Sequence, residues 1–553
     1  MIGNFELPIA NWKVPGRGQR PQPRRPYLRN LRGIASDISK LTIRNSQLLL
    51  LLLLPTLLHP QSVDWSRVHT LTVQGIDRLY NLQIDEAEKT FDEVIRMAPD
   101  DPRGWFFKSM VHFYIYQLSK DQKAYDTFFQ ISETVIDKAE ALVDRDPNDL
   151  TAKFYLGGIY GYRGLAYQRN GSVLSGVWDG RKGYGLLKEA ATGPNLSVDA
   201  QLGFGLFSYL IAKIPRSLTW ILNIIGFSGD LEGGLAMMKA AADRGMYTRT
   251  EASFYYAQFC FFEDRYDEAE KYLRMVIDRY PSNSLFLVTH ATWQLRRDQI
   301  DSAIAIGERA IAVNEKSQVR IGDEFAHSTL ASAYFIMGDF REAAEHWEQF
   351  IDRSENKDNV NNYVYFRLGV CYELLNDRPL AVATWNRMEK TTNSDRAWES
   401  VYWRRAQLLI AAPMNAVDFA LLMASNESQR GRRQQAIAMY YSAAHLAGND
   451  AERKAQALYG VAQPAYQCDD DKTAIAVVPE ILQLRPRREV WVLPHALLVL
   501  GRAQARQGLK TDAQRTFEQA LAYEDYDWEM NVRGRIEREV EKLKRQESGD
   551  RRQ

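Results

Sequence analysis

TEASFYYAQFCFFEDRYDEAEKYLRMVIDRYP, spanning Thr250–Pro281, reads as a pair of helices joined by a short polar corner. Ser253, Tyr256, Ala257 and Cys260 recur at helical spacing. Glu263-Asp264-Arg265 breaks the run, and Ala269, Leu273 and Val276 mark a second helix that stops at Pro281. The register repeats about 34 residues on, with Ala303 where Ala269 stood and Ala310 near the end. Small residues such as Ala257, Ala269 and Ala303 let two antiparallel helices approach, while Tyr256 and Leu273 fill the space between one pair and the next. One pair cannot bury its apolar face alone, so pairs must stack.

The arrangement recurs in Gly75, Ala87, Phe91 and Pro99, in Leu156-Gly157-x-x-Tyr160, in Leu368-Gly369-x-x-Tyr372 with Ala381 and Trp385, and in Gly501, Ala513, Phe517 and Ala520. This is the tetratricopeptide (TPR) pattern. It predicts an all-α fold, a right-handed α-solenoid of antiparallel helix pairs over residues 63–528. A charged helix and tail at 529–553, apolar only along Val532, Ile536, Val540 and Leu543, closes the exposed end. Within the solenoid, residues 171–236 depart from the plain repeat. Gly171–Asn195 reads as a glycine-rich insertion that turns helical. Leu202–Phe227 is the most apolar stretch of the repeat region, read either as core helices or as a membrane- or partner-facing patch. Asp450–Leu484 reads as a degenerate unit interrupted at Pro464.

The 553 residues carry no formal net charge, yet the charge is unevenly placed. The first 59 hold nine Lys/Arg and two acids, which leaves 61 basic and 68 acidic residues in the remainder. A mildly acidic body excludes the basic stripe that nucleic-acid binding needs. Residues 1–62 combine a basic, Pro- and Arg-rich region, read as disordered, with the leucine run Leu48–Leu58. That run is too short to span a bilayer and fits a signal peptide, so the chain is expected in the periplasm or at an outer membrane; an uncleaved membrane anchor is the alternative. Three cysteines, Cys260, Cys371 and Cys468, make no disulfide framework and read as buried or half-buried small residues.

Leu202-Gly203-Phe204-Gly205-Leu206-Phe207, Ile214-Pro215, Ile224-Ile225-Gly226-Phe227-Ser228-Gly229-Asp230 and Gly234-Leu235 together resemble the signature of TPR proteins related to the fungal inclusion-body-clearance protein and its animal relatives. The resemblance implies an all-helical TPR protein without catalytic residues. Fungal and animal members are intracellular; the export-like leader departs from that and implies an exported bacterial branch.

No P-loop, G-x-S-x-G, H-E-x-x-H or C-x-x-C occurs, so neither a catalytic site, a cofactor nor a metal is expected. His290 reads as a core residue, and Asp469-Asp470-Asp471, lacking calcium-loop spacing, as a solvated corner. What remains is the concave groove. The second, fifth, ninth and twelfth residues of each first helix point inward, giving Glu251, Phe254, Gln258 and Phe261, then Leu285, Val288, Thr292 and Leu295. Later units give Phe325, Ser328, Ser332 and Phe335, then Tyr363, Phe366, Val370 and Glu373. Phe254, Gln258, Phe261, Phe325, Phe335, Tyr363 and Phe366 are thus the expected partner-binding residues. The groove has no Lys/Asn carboxylate clamp and suits a protein or peptide partner such as an amphipathic helix. The opposing reading is that these rings pack on helices of the same chain. A peripheral, lipid-handling membrane contact through 202–227 is the alternative function.

Overall fold

Proline, glycine and aspartate punctuation cuts the chain into short helices that pair in sequence. The computed structural model describes residues 63–550 except 120, 194–195, 215–225, 318–319, 355–359 and 392–397. The leader at 1–62 with its leucine run, and Pro215, Ile224 and Ile225, lie outside the described residues. Among the described residues there are 24 helices and no strand. In the unit quoted above, α9 (Arg249–Phe262) and α10 (Tyr266–Arg279) form the hairpin, with Ala257 and Ala269 fully buried between them. Asp264 turns the corner at φ 59°, and the next amide, Arg265 N, donates to Cys260 O at 2.8 Å. Asp298, Asn376 and Asp469 repeat this left-handed corner, and Gly338, Gly431 and Gly508 adopt it elsewhere. Glycine, Asn and Asp enter that region at least cost, which explains the punctuation.

A second device closes the hairpins. Gly75 in α1 (Trp65–Tyr80) faces Phe91 in α2 (Ile84–Met97), where a Cβ would stand 2.4 Å from the ring. Gly369 in α15 (Asn362–Leu374) faces Trp385 in α16 (Arg378–Trp385) at 2.2 Å, and Gly501 in α22 (Val492–Arg506) faces Phe517 in α23 (Lys510–Leu521) at 2.4 Å. Phe91, Trp385 and Phe517 are all fully buried. The glycine is the hole and the ring is the knob.

The glycine-rich stretch after Gly171 turns helical at once. It is α6 (Val173–Thr192), the ordinary partner of α5 (Leu150–Arg169). Its glycines permit backbone-to-backbone contact: a Cβ on Gly183 would lie 2.8 Å from Gly157 O, and one on Gly176 2.9 Å from Gly164 O. α7 (Ala200–Ala212) and α8 (Leu231–Arg244) cross the same way at Gly205 and Gly234. Asp230 caps α8 by accepting Gly233 N at 3.0 Å and donates its own N–H to Ser208 O. The family-like string is therefore a helix-crossing motif. Leu202, Phe204, Tyr209 and Ile211 of the apolar stretch are buried in the core, and no described helix is long and apolar enough to cross a membrane.

Two readings change. Pro464 does not interrupt its unit; it sits buried inside α20 (Ala451–Gln467), which continues for three residues beyond it. The Asp469–Asp471 corner is not simply solvated. Asp471, at the start of α21 (Asp471–Leu484), is buried, receives Arg506 and accepts Gln507 Nε2 at 2.7 Å.

The superhelix closes on itself in two places. In the N-terminal half, α1 meets the α8–α11 region: Tyr280 Oη donates to Asp77 at 2.6 Å, and Asn283 Nδ2 to Tyr80 O at 2.8 Å, α11 being Ser284–Arg296. In the C-terminal half, α17 (Glu399–Ala411) reaches the last units through Arg404–Asp527 and Arg405–Glu489. The hairpin of α18 (Ala416–Gln429) and α19 (Arg433–Ala447) returns to α13 (Asp323–Met337), where Asn426 Nδ2 donates to Phe335 O at 2.8 Å. α24 (Glu529–Asp550) covers the end with Val532, Ile536 and Leu543 buried.

A pH dependence is built into α13. His327 Nδ1 lies 2.9 Å from His346 Nδ1, a contact that requires one of the two nitrogens to be unprotonated. Burial, then the His346 charge, holds His327 down to about 4, against the opposing pull of Asp323. Folded pKa below unfolded pKa means stability is full above about pH 6.5 and is lost as pH falls toward 4. The unfolding free energy from urea melts is expected to drop across that window by about 1–3 kcal/mol, and His327→Asn to flatten the drop. An unchanged slope in His327→Asn removes this assignment.

Candidate functional site: the inner face of the superhelix

The first closed turn places tyrosines from successive first helices opposite one another. Tyr80 of α1 lies 3.1 Å, oxygen to oxygen, from Tyr114 of α3 (Pro102–Ser119). Tyr162 of α5 donates to Glu251 Oε2 of α9 at 2.7 Å. Burial pushes the Glu251 carboxyl above the usual carboxylate range, opposed by the Tyr162 and Tyr114 hydroxyls, and burial also raises the phenols of Tyr80, Tyr114 and Tyr162. Phe254 joins this set through Phe286 of α11, centroids 5.2 Å apart, and Phe286 stacks on Tyr80. Phe261 is buried flat against Trp293 at 4.5 Å and 9°. Gln258 and Phe325 are half-buried, Phe325 against the same core cluster. Here the chain's own rings meet across the inner face.

The second half is different. Phe335 of α13 is buried beneath the Arg367 guanidinium of α15, 4.4 Å above its ring. Arg367 also lies 5.3 Å from the Tyr363 ring. Tyr363 and Phe366 remain half-buried and both pack on Tyr402 of α17, at 5.1 and 5.6 Å. Arg405, one turn on, lies over Trp528 at 5.2 Å and Trp491 at 5.8 Å. Trp491 continues edge-to-face into His495 and Tyr459. Beside Tyr459 stands Arg535 of α24, whose guanidinium is held below the usual arginine value by burial and by Arg502. The result is a track of half-buried aromatic faces studded with arginines. Among the described residues no His/Cys/Asp/Glu group is arranged to hold a metal ion.

The structure thus separates the seven expected residues. Tyr363 and Phe366 come together on the arginine-studded track with Phe335 buried beneath Arg367, Phe254 belongs to the closed turn, and Phe261 is taken up by its Trp293 stack. Glu373, an inward position by count, instead pairs with Arg378 at 3.0 Å and accepts Met414 N. Sequence counting missed Arg367, Tyr402, Arg405, Trp491 and Trp528. Arg367 carried a legible signal, since it stands i+4 from Tyr363 on the same face. Tyr162 carried another, in the excess of aromatics at Phe154–Tyr167.

His290 is a core residue, buried, with Nε2 2.8 Å from Glu270. Cys260 and Cys371 are buried and Cys468 is half-buried, and burial pushes the first two thiols up to about 11 and about 12.

Among solved structures, a TPR protein from Parabacteroides merdae is 15% identical over 52% of this chain and 97% of its own, with TM-score 0.24. The P58(IPK) TPR domain is 13% identical over 87% and 99%, with TM-score 0.20. Yeast Tom70 is 13% identical over 81% and 97%, with TM-score 0.22. A tetratricopeptide-repeat model matches residues 494–519, which are the Gly501/Phe517 hairpin. The model of the Iml2/Tetratricopeptide repeat protein 39 family matches residues 116–408, a stretch that holds the glycine crossings of α5–α8, Tyr162, Glu251 and Phe254 of the closed turn, and the first part of the track. More than half of the sequence carries that match, and the chain belongs to the Iml2/Tetratricopeptide repeat protein 39 family.

Proposed function

We propose that this protein is a non-catalytic TPR scaffold that holds a protein partner along the inner face of its second half. The supporting observation is the run Tyr363, Phe366 and Tyr402, three half-buried rings in mutual contact that keep part of their surface exposed. Rigid aromatic faces give contact area at small entropic cost, which is what partner anchors do. An extended or helical segment of a partner fits such a track.

The test is capture of partners by the intact protein against Phe366→Asp and Tyr402→Ala. Both variants are expected to keep the helical circular-dichroism signal and to lose the specifically captured protein by at least about tenfold, since a central anchor is typically worth 2 kcal/mol or more. Equal capture by wild type and both variants rejects this face. Phe254→Asp is not a suitable probe, because it introduces a charge into the closed turn.

We propose further that the chain is exported. The support is the basic stretch followed by Leu48–Leu58. N-terminal sequencing of the protein purified from its native cell checks it, and an intact Met1 in the cytoplasmic fraction refutes it.

A further inference from the structure

Arg367 is an unusual cation. Its Nε is buried and has no hydrogen-bond partner among the described residues. No carboxylate pairs with it there; its surroundings are the faces of Phe335 and Tyr363, and Tyr402 stands nearby. Cation–π contact offsets part of the desolvation of a guanidinium, and beyond it Arg367 has only the Tyr363 hydroxyl as a hydrogen-bonding neighbour, with no carboxylate among them. Elsewhere along the inner face Arg378 is matched by Glu373, Arg405 by Glu489 and Arg502 by Glu539. Arg535 lies at the far end of the track, half-buried between Arg502 and Arg538; the nearby Glu539 carboxylate is engaged by Arg502, and Arg535 makes no ion pair of its own among the described residues. Two arginines without ion pairs among the described residues, linked by successive ring contacts, thus belong to a body whose net charge outside the first 59 residues is negative.

We infer that the partner segment seated on this track is acidic, its carboxylates engaging the Arg367 and Arg535 guanidiniums while its apolar side chains lie on Tyr363, Phe366 and Tyr402. This rests on the reading of the second-half inner face as the partner groove. Charge complementarity selects the occupant: two cations without ion pairs disfavour a basic segment and favour an acidic one over a neutral one. The geometry also separates the two roles that Arg367 can have. A residue kept only to hold the fold stabilises it, whereas a buried cation kept for an anion that arrives later costs stability until that anion binds.

The experiment uses the full chain and a short fluorescein-labelled peptide in which Glu alternates with Leu and Phe, beside counterparts carrying Gln or Lys in place of Glu. The Glu peptide is expected to bind at least about tenfold more tightly than the Gln peptide, with affinity falling as salt rises, and the Lys peptide not to bind. Arg367→Met and Arg535→Gln should each bring the Glu peptide down to the level of the Gln peptide. Arg515→Gln, on the exposed side of α23, should leave binding unchanged. Arg367→Met should melt at or above the wild-type temperature. Equal binding of the Glu and Gln peptides, both lost in Phe366→Asp, overturns the acidic partner while leaving the groove in place. Binding of no peptide, or a melting temperature several degrees lower in Arg367→Met, also overturns the inference, and the capture experiment above then judges the groove separately.

Discussion

Replacing Trp385 by alanine is expected to destabilise the middle of the solenoid by about 3–5 kcal/mol. Trp385 is fully buried over Gly369, and its Nε1 donates to Phe366 O at 3.2 Å. It is also the last residue of α16, a helix of only 8 residues, too short to hold together without tertiary contact. Removing the indole leaves a cavity against a glycine, which has no side chain with which to collapse into it. Because a repeat array couples each unit chiefly to its neighbours, the damage should be local. Hydrogen exchange should show amides of α15–α17 losing protection while those of α1 and α2 keep theirs. A urea transition shifted by less than about 1 kcal/mol, or protection lost evenly along the chain, contradicts the knob-and-hole account.

Gly183→Val is expected to cost about 3 kcal/mol, at the upper end of overpacking penalties. A Cβ there would stand 2.8 Å from Gly157 O and 2.9 Å from Gly161 N, both backbone atoms that cannot rotate away. α5 and α6 would have to splay, and the crossings that set up α7 and α8 would move with them. Gly185, two residues on, supplies the control. It is exposed on the same helix, and a Cβ there meets nothing within 4 Å. Gly185→Ala is expected to stabilise by roughly 0.5–1 kcal/mol through helix propensity alone. Thermal melts of the two variants, read by circular dichroism, should therefore move in opposite directions. Shifts of the same sign would show that α6 does not lie against α5 by its glycine face.

The glycines of α6 also show where reading from the sequence stopped. Gly171–Asn195 departs from the repeat's residue pattern. The departure lies in side-chain size, because glycines replace the usual alanine-and-ring packing with direct backbone contact. Pro464 misled for another reason: proline costs a helix one backbone bond, and the burial of α20 in its hairpin outweighs that loss.

The sequence by itself determined the helix pairs, their left-handed corners at Asp, Asn and Gly, the small-residue holes with their rings, and the polar helix that closes the far end. Each depends on residues a turn or a hairpin apart, so local spacing encodes it. Only the tertiary structure decided which side chains of distant repeats meet. Tyr280 reaching Asp77, Tyr162 reaching Glu251 and Arg405 lying over Trp528 join residues far apart in the chain. Those meetings follow from the summed small rotations of many stacked units, a quantity that no single repeat carries.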